Sequence, residues 1–337
     1  MSEARVHKVP DRDLATPPFS ALVAAWNEAQ MIERHVASFI ALPGTECELI
    51  LCAGGADDTL SRAKRAAGDN PNVVVIEQHI GQGKQAALRT CFELAQHPWI
   101  YLTDADCLFS EEVLRSLFGV AAGGHRVVTG GSTPLRDQMS VPIVAYQEAR
   151  DASYDARVGD VADGVLGRNA LLRRDVVEAA GGFTANVHTG TDYHLTLQLK
   201  ALDEPIAHAR GSRVQSEYPA SPSEYLRMWR RWIKNLLVHS PHGTGRALVT
   251  SLILALALTV LPMAAALLWS WALAVVAVAL LATASWRRAQ DLSFLPTEAA
   301  GMRWPVTIRL PGYVYLDQLA VVLAWMDALT DRGRRRW

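Results

Sequence analysis

Cysteine is scarce: the 337 residues hold four, Cys47, Cys52, Cys91 and Cys107, with no Cys-x-x-Cys pair and no zinc-type spacing. That excludes a disulfide framework and a structural zinc site, and it fits reduced thiols in a cytosolic setting. An excess of one charge is also missing, since 33 Lys and Arg face 34 Asp and Glu for a net charge of −1. No basic footprint marks a nucleic-acid binder. The first sixteen residues, Met1 to Thr16, have no apolar run of the kind a secretory signal needs, and they predict a loose polar tail. Internal repeats are lacking, and the one biased region is a stretch rich in Ala, Leu and Val near the C-terminus.

The near-zero net charge hides an asymmetry. Residues 221–337 carry 13 Lys/Arg against 6 Asp/Glu, while residues 1–220 carry 20 against 28. An acidic globular part joined to a basic, apolar part points to a membrane surface. Within the basic part, Ala247 to Ser285 spans 39 positions without a charged residue. One helix of that length would reach about 58 Å at ~1.5 Å per residue, roughly twice a hydrocarbon core of ~30 Å. Two crossings joined near Ala266 to Trp271 fit better, with Trp269 and Trp271 at an interface and Pro262 as a kink. Arg246 before the run and Arg287-Arg288 after it place both ends on the cytosolic side, as a helical hairpin requires. Leu310 to Asp331 is predicted to lie in the interface or dock on the hairpin. A third crossing would put the Arg334-Arg335-Arg336 tail outside.

The other half alternates short apolar runs with helical patterns. Strands are expected at Ser20–Ala25, Cys47–Cys52, Val73–Ile76, Trp99–Leu102 and Arg126–Gly130. Helices are expected up to about Leu42, over Thr59–Ala67, up to about Gln96, and over Val141–Arg157 and Arg174–Ala180. A loop and short strand over Gly164–Leu172 and a helix opened by Gly190-Thr-Asp192 complete the pattern. This alternation predicts βαβ units and a mostly parallel sheet, with polar loops opening on one edge.

The strand Trp99–Leu102 runs straight into Thr103-Asp104-Ala105-Asp106. Two carboxylates at the end of such a strand sit where open α/β sheets bind ligands, and hard oxygen ligands suit Mg²⁺ or Mn²⁺ on a pyrophosphate. The competing reading is a turn before the helix that Ser110-Glu111-Glu112 begins. Gly81-Gln-Gly-Lys84 fails as a P-loop, because the first glycine falls at Gln78 and Gln85 follows the lysine.

Taken together, these loops resemble the family 2 glycosyltransferases of GT-A fold, particularly membrane-attached members related to cellulose, hyaluronan and exopolysaccharide synthases. The resemblance runs from about Phe19 to Asn235. Val23-Ala24-Ala-Trp26-Asn-Glu28 looks like the family's opening Val-Pro-x-Tyr-Asn-Glu, which implies nucleotide contacts from Ala24, Trp26 and Glu28. Gly81-Gln-Gly-Lys84-Gln-Ala-Ala-Leu looks like the Gly-Lys-x-x-Ala-Leu segment, so that Lys84 faces the nucleotide-sugar rather than solvent. By the same likeness Asp104 holds the nucleotide part, and Asp106, with Asp104 beside it, holds the metal. Asp192 matches the acid that serves as general base, alongside its simpler role as a helix cap. Arg230-Arg231-Trp232 resembles the end of the Gln-x-x-Arg-Trp signature, where arginine binds phosphate and tryptophan stacks on a sugar. A basic interfacial helix explains the same residues.

Three departures stand out. The family's Asp-Asp-Gly-Ser-x-Asp loop is here Cys52-Ala53-Gly54-Gly55-Ala56-Asp57, so both leading acids are gone while Asp57 remains as a substrate contact. The acid before the base is Thr191, and Met228 replaces the glutamine of the processive signature. Two crossings are also too few to enclose a polymer channel without a homo-oligomer or a partner.

The resemblance implies a tail at 1–16, a GT-A domain at 17–222 and an interfacial Arg/Trp helix at 223–245. It continues with a transmembrane hairpin at 246–286 and an interfacial or third membrane helix with a basic tail at 287–337. It implies a multi-pass protein of the cell membrane whose catalytic domain lies in the cytoplasm. The activity implied is metal-assisted, inverting transfer from a nucleotide-diphospho-sugar, UDP-sugar foremost, to a lipid or saccharide acceptor. The alternatives are a catalytically impaired nucleotide-sugar-binding subunit and a sugar nucleotidyltransferase.

Overall fold

The computed structural model describes residues 16–43, 46–184, 190–239 and 245–332. The described residues form two compact units, divided within the chain as 1–132 with 158–214 and 133–157 with 215–337.

The first unit begins with β1 (Phe19–Trp26), α1 (Ile32–Ile40), β2 (Cys47–Gly54), α2 (Thr59–Ala67), β3 (Val73–Glu77), α3 (Gly83–Leu94) and β4 (Trp99–Leu102). It continues through β5 (Cys107–Leu108), α4 (Glu111–Ala121) and β6 (Val127–Pro134). Beyond α5 (Pro142–Arg157), which belongs to the second unit, come β7 (Ala170–Arg173), α6 (Arg174–Ala179), α7 (Thr191–Ala201) and β8 (Ala207–Ser216). The strands form one sheet in the order β3-β2-β1-β4-β7-β6-β8-β5. β1 pairs in parallel with β2 and β4, and β2 with β3, while β7 runs antiparallel to both β4 and β6. The sheet is therefore mixed, parallel from β3 through β4 and antiparallel on both sides of β7.

Apolar side chains cover both sheet faces, which is why the first strands read as unbroken apolar runs. Phe19, Ala21 and Val23 of β1 join Leu49, Leu51 and Tyr101 in one core against Val36, Phe39 and Leu114. Leu22, Ile50, Ile100 and Leu102 point the other way, into a second core with Leu88, Phe92, Val177 and Leu195. The period of two within each strand sends alternate residues to opposite helical layers.

The second unit is helical: α5 (Pro142–Arg157), α8 (Pro222–His239), α9 (Gly245–Leu267), α10 (Trp271–Ala289) and α11 (Arg303–Arg332), with 3₁₀ turns at Gln290–Phe294 and Thr297–Met302. α11 packs along α8, α9 and α10. The segment Leu310–Asp331, expected to lie in the interface or dock, is part of this 30-residue helix, which has neighbours on several sides. A buried polar network ties these helices. Asp317 of α11 accepts hydrogen bonds from Tyr146 (2.7 Å), Arg150 (3.2 Å), Tyr225 (2.5 Å) and Trp229 (3.2 Å). Asp291 likewise accepts from Ser153 at 2.6 Å and Arg157 at 3.1 Å, and Arg288 reaches both acids.

Among the described residues, one helical stretch, Trp271–Phe294, is long and apolar enough to cross a membrane, with a mean hydropathy of 1.4. Leu252–Leu267 is a shorter apolar helix. Apolar side chains on α9 and α10 stand out from the protein: Ile253, Met263, Leu267 and Val278 are 63, 65, 78 and 67% exposed.

Candidate active site

The site begins where β4 ends. Pairing to β1 continues one residue past the strand through Thr103 N to Leu22 O at 3.5 Å, and Cys107 N then donates to Asp104 O at 3.1 Å, closing a turn. Within this turn Ala105 is buried between two partly exposed carboxylates, Asp104 and Asp106. The turn is anchored from below by the fully buried His35 of α1, whose Nδ1 donates to Cys107 O at 2.7 Å. Burial pushes the His35 pKa down to about 4, so the ring is neutral and carries its proton on Nδ1.

Two cations flank Asp104. Lys84, at the start of α3, places Nζ 2.5 Å from Oδ1, and Arg168, in the loop before β7, places Nε 3.9 Å from Oδ2. Desolvation opposes the Lys84 ammonium, but the carboxylates of Asp104 and Asp192 outweigh it and hold the pKa above the ordinary lysine value. Asp192 lies in the first turn of α7, which opens from Gly190 in the left-handed conformation (φ 73°). Its Oδ1 accepts the Tyr193 amide at 3.0 Å. A Cβ on Gly167 would stand 3.0 Å from the Asp192 Cβ, so the loop carrying Arg168 presses against Asp192. Thr196 fixes that contact, since its hydroxyl donates to Asp192 O at 2.8 Å and accepts from Val165 N at 2.9 Å. Lys84, Asp104, Arg168 and Asp192 thus form one charged cluster drawn from four separate segments of the chain. Asp106 adjoins it: the Cys107 thiol donates to Asp106 Oδ1 at 3.4 Å, and burial together with the Asp106 carboxylate pushes that thiol's pKa up.

The loops after β1 and β2 are stitched to each other. Asn27, at φ 60°, accepts the Ala56 amide on Oδ1 at 2.7 Å, and a Cβ at Gly55 (φ +140°) would collide with that oxygen. Asp57 receives the Ala29 amide at 3.2 Å, the Thr59 amide at 3.1 Å and the Thr59 hydroxyl at 2.5 Å, and Thr59 Oγ1 in turn accepts Glu28 N at 2.7 Å. Desolvation, the largest single influence, pushes the Asp57 carboxyl up, but these donors together outweigh it and hold the group below the usual range. Both oxygens of Asp57 therefore serve loop closure. Trp26 is 36% exposed, Ala24 and Glu28 are half-buried, and Gly54 has no room for a side chain between Trp26 and the Gln78 carbonyl.

Arg230, Arg231 and Trp232 belong to the helical unit. Arg230 forms a two-point ion pair with Asp327 of α11, both contacts at 2.6 Å. Trp232 meets Trp229 edge to face with ring centroids 5.4 Å apart, and Arg231 is exposed.

Arg168 and Asn169 escaped the sequence. Asn169 is fully buried and donates through Nδ2 to Gly131 O at 2.9 Å and Ser212 O at 3.0 Å, locking the loop that presents Arg168. The signal was a Gly-Arg-Asn placed at the mouth of the apolar run Ala170-Leu-Leu172.

The described residues contain no group of three or more His, Cys, Asp or Glu side chains that would hold a metal ion by themselves. Asp104 is already compensated by Lys84 and Arg168, which leaves Asp106 as the better ligand. One or two carboxylates completed by phosphate oxygens and water is the usual Mg²⁺ arrangement at nucleotide sites, so the residues fit a metal that arrives with a diphosphate.

A mixed α/β sheet with acids and a lysine gathered at one edge is the GT-A glycosyltransferase architecture. The family model for glycosyltransferase like family 2 matches residues 17–235, and the chain belongs to that family. A mannosyltransferase from Pyrobaculum calidifontis, solved with GDP-Man and Mn²⁺, resembles it in fold at a TM-score of 0.57 and 16% identity, covering 94% of this chain and 88% of that one. Glucosyl-3-phosphoglycerate synthase from Mycobacterium tuberculosis, solved with Mn²⁺, UDP and glucosyl-3-phosphoglycerate, gives a TM-score of 0.44 at 19% identity over 66% of this chain and 80% of that one, too low to carry weight. No curated protein matches the chain.

Proposed function

We propose that this glycosyltransferase is membrane-anchored and inverting, moving a sugar from a nucleotide-diphospho-sugar to a lipid or polysaccharide acceptor. The observation that carries the reading is the Lys84–Asp104–Arg168 cluster with Asp192 beside it, a charge pattern suited to a diphosphate and an acceptor hydroxyl. In the reaction, Asp192 takes the proton of the acceptor hydroxyl, whose oxygen attacks the anomeric carbon. The bond from that carbon to the β-phosphate oxygen breaks, and the nucleoside diphosphate leaves with the electron pair. A single displacement inverts the anomeric centre. Lys84 steadies the donor phosphates, and Asp104 positions the nucleotide. Asp106 would hold Mg²⁺ or Mn²⁺, which would supply positive charge against the departing diphosphate. The loops bearing Trp26 and Glu28 shape the nucleotide side, with Asp57 holding them closed.

The membrane part of the proposal rests on the large apolar side chains that α9 and α10 leave exposed. A hairpin with Arg246 at one end and Arg287-Arg288 at the other keeps the catalytic unit in the cytoplasm. α8 then enters along the interface with its Arg/Trp face, and α11 docks on the hairpin.

A donor screen on the purified protein in lipid tests this, with UDP-sugars first and GDP-sugars second. The reading expects metal-dependent release of a nucleoside diphosphate that rises with a lipid or saccharide acceptor. Pyrophosphate as product, or tight binding without turnover across donors, would overturn it.

A further inference from the structure

Asp104 stands between two cations that face different oxygens of one carboxylate, Lys84 at Oδ1 and Arg168 at Oδ2. Their settings differ: the Lys84 side chain is 45% exposed and that of Arg168 is 14% exposed. The backbone on both sides of Arg168 is pinned. Leu166 N donates to Thr129 Oγ1 at 2.9 Å, Gly167 packs on Asp192, and Asn169 is held by Gly131 and Ser212. A guanidinium is thus delivered to the carboxylate that Lys84 touches, on a rigid support that itself presses against Asp192. Bringing a cation this far out of water is costly, and such an expense is usual where an anion is bound.

We propose that Arg168 is a second diphosphate-binding residue, which turns from Asp104 to the donor phosphates while Lys84 holds the other side. This rests on the donor reading above and deepens it by naming the group that distinguishes a diphosphate from a monophosphate. Guanidinium presents a planar fork that matches two phosphate oxygens at once, whereas the lysine ammonium acts as a point charge. The pair gives the site affinity for a nucleoside diphosphate before any metal is present, and Asp104 keeps both cations oriented until the donor arrives. As the glycosidic bond breaks and the leaving group gains a negative charge, Arg168 is placed to hold it.

The test is calorimetric titration of the full-length protein in detergent with UDP, GDP, UMP and GMP, each without metal and with Mn²⁺. Arg168→Gln is expected to weaken diphosphate binding roughly tenfold or more with and without Mn²⁺, and monophosphate binding far less. Arg168→Lys, which keeps the charge and loses the fork, is expected to fall between, and it serves as the main comparison if the glutamine variant does not fold. Equal diphosphate affinity in wild type and variants with unchanged melting overturns the assignment. So does an equal loss of monophosphate and diphosphate binding, which marks Arg168 as a counter-ion for Asp104. A wild type that binds no nucleotide removes the donor reading, and this assignment with it.

Discussion

His35 Nδ1 donates to the carbonyl of Cys107 at 2.7 Å, so a neutral, fully buried ring supports the turn that carries Asp104 and Asp106. Burial pushes its pKa down to about 4 in the folded protein, against about 6.5 for a solvated histidine. Between those values the unfolded chain takes up a proton that the folded protein refuses. Stability is therefore complete above about pH 6.5 and declines as pH falls toward 4, by about 3 kcal/mol from this group. Urea midpoints across that range check this: His35→Phe should flatten the slope while lowering stability at neutral pH by roughly 1–3 kcal/mol.

In the proposed reaction Asp106 is the carboxylate that meets the metal, because Asp104 is occupied by Lys84 and Arg168. Asp106→Asn is expected to raise the Mn²⁺ concentration needed for half-maximal turnover by roughly 10-fold or more, with metal-free nucleotide binding unchanged. Manganese titration followed by electron paramagnetic resonance reads the same loss directly.

Arg230 and Asp327 make a two-point pair while both are partly exposed, their side chains 44% and 25% accessible. Asp327→Asn should cost about 0.5–1 kcal/mol of stability and leave the KM for donor unchanged. A large rise in donor KM would instead mean that Arg230 reaches the nucleotide-sugar.

Asp317 presents the opposite case, buried and surrounded by Tyr146, Arg150, Tyr225 and Trp229. Its removal strands the Arg150 guanidinium. Asp317→Ala should destabilise the helical unit by roughly 3–5 kcal/mol, read as an early thermal transition in detergent.

The parallel half of the sheet was legible because β1, β2 and β4 are buried on both faces and so appear as apolar runs ending at polar loops. β8 was not. Its sequence, Ala-His-Ala-Arg-Gly-Ser-Arg-Val-Gln-Ser, lacks such a run, and its buried Ser212 is satisfied by Asn169 and the Val113 carbonyl rather than by apolar packing. The acids were legible as motifs, but their partners were not. Arg168 reaches Asp104 through tertiary folding alone, and Arg230, adjacent to a recognisable Arg-Trp, is paired by a residue 97 positions away. Asp57 reads as a substrate contact from its motif, and the motif does not show that its oxygens accept from Ala29 and Thr59. Local sequence conveys which residues are chemically able, while the choice among partners comes from the packing of distant loops.

The central claim is that Asp192 is the base beside a diphosphate site, and nucleoside diphosphate release at saturating donor, acceptor and Mn²⁺ tests it most directly. Asn at position 192 still accepts the Tyr193 amide through its side-chain oxygen but no longer takes a proton. The account predicts that Asp192→Asn loses roughly 10²–10⁴-fold in kcat with donor affinity intact. An Asp192→Asn enzyme turning over at the wild-type rate would contradict it.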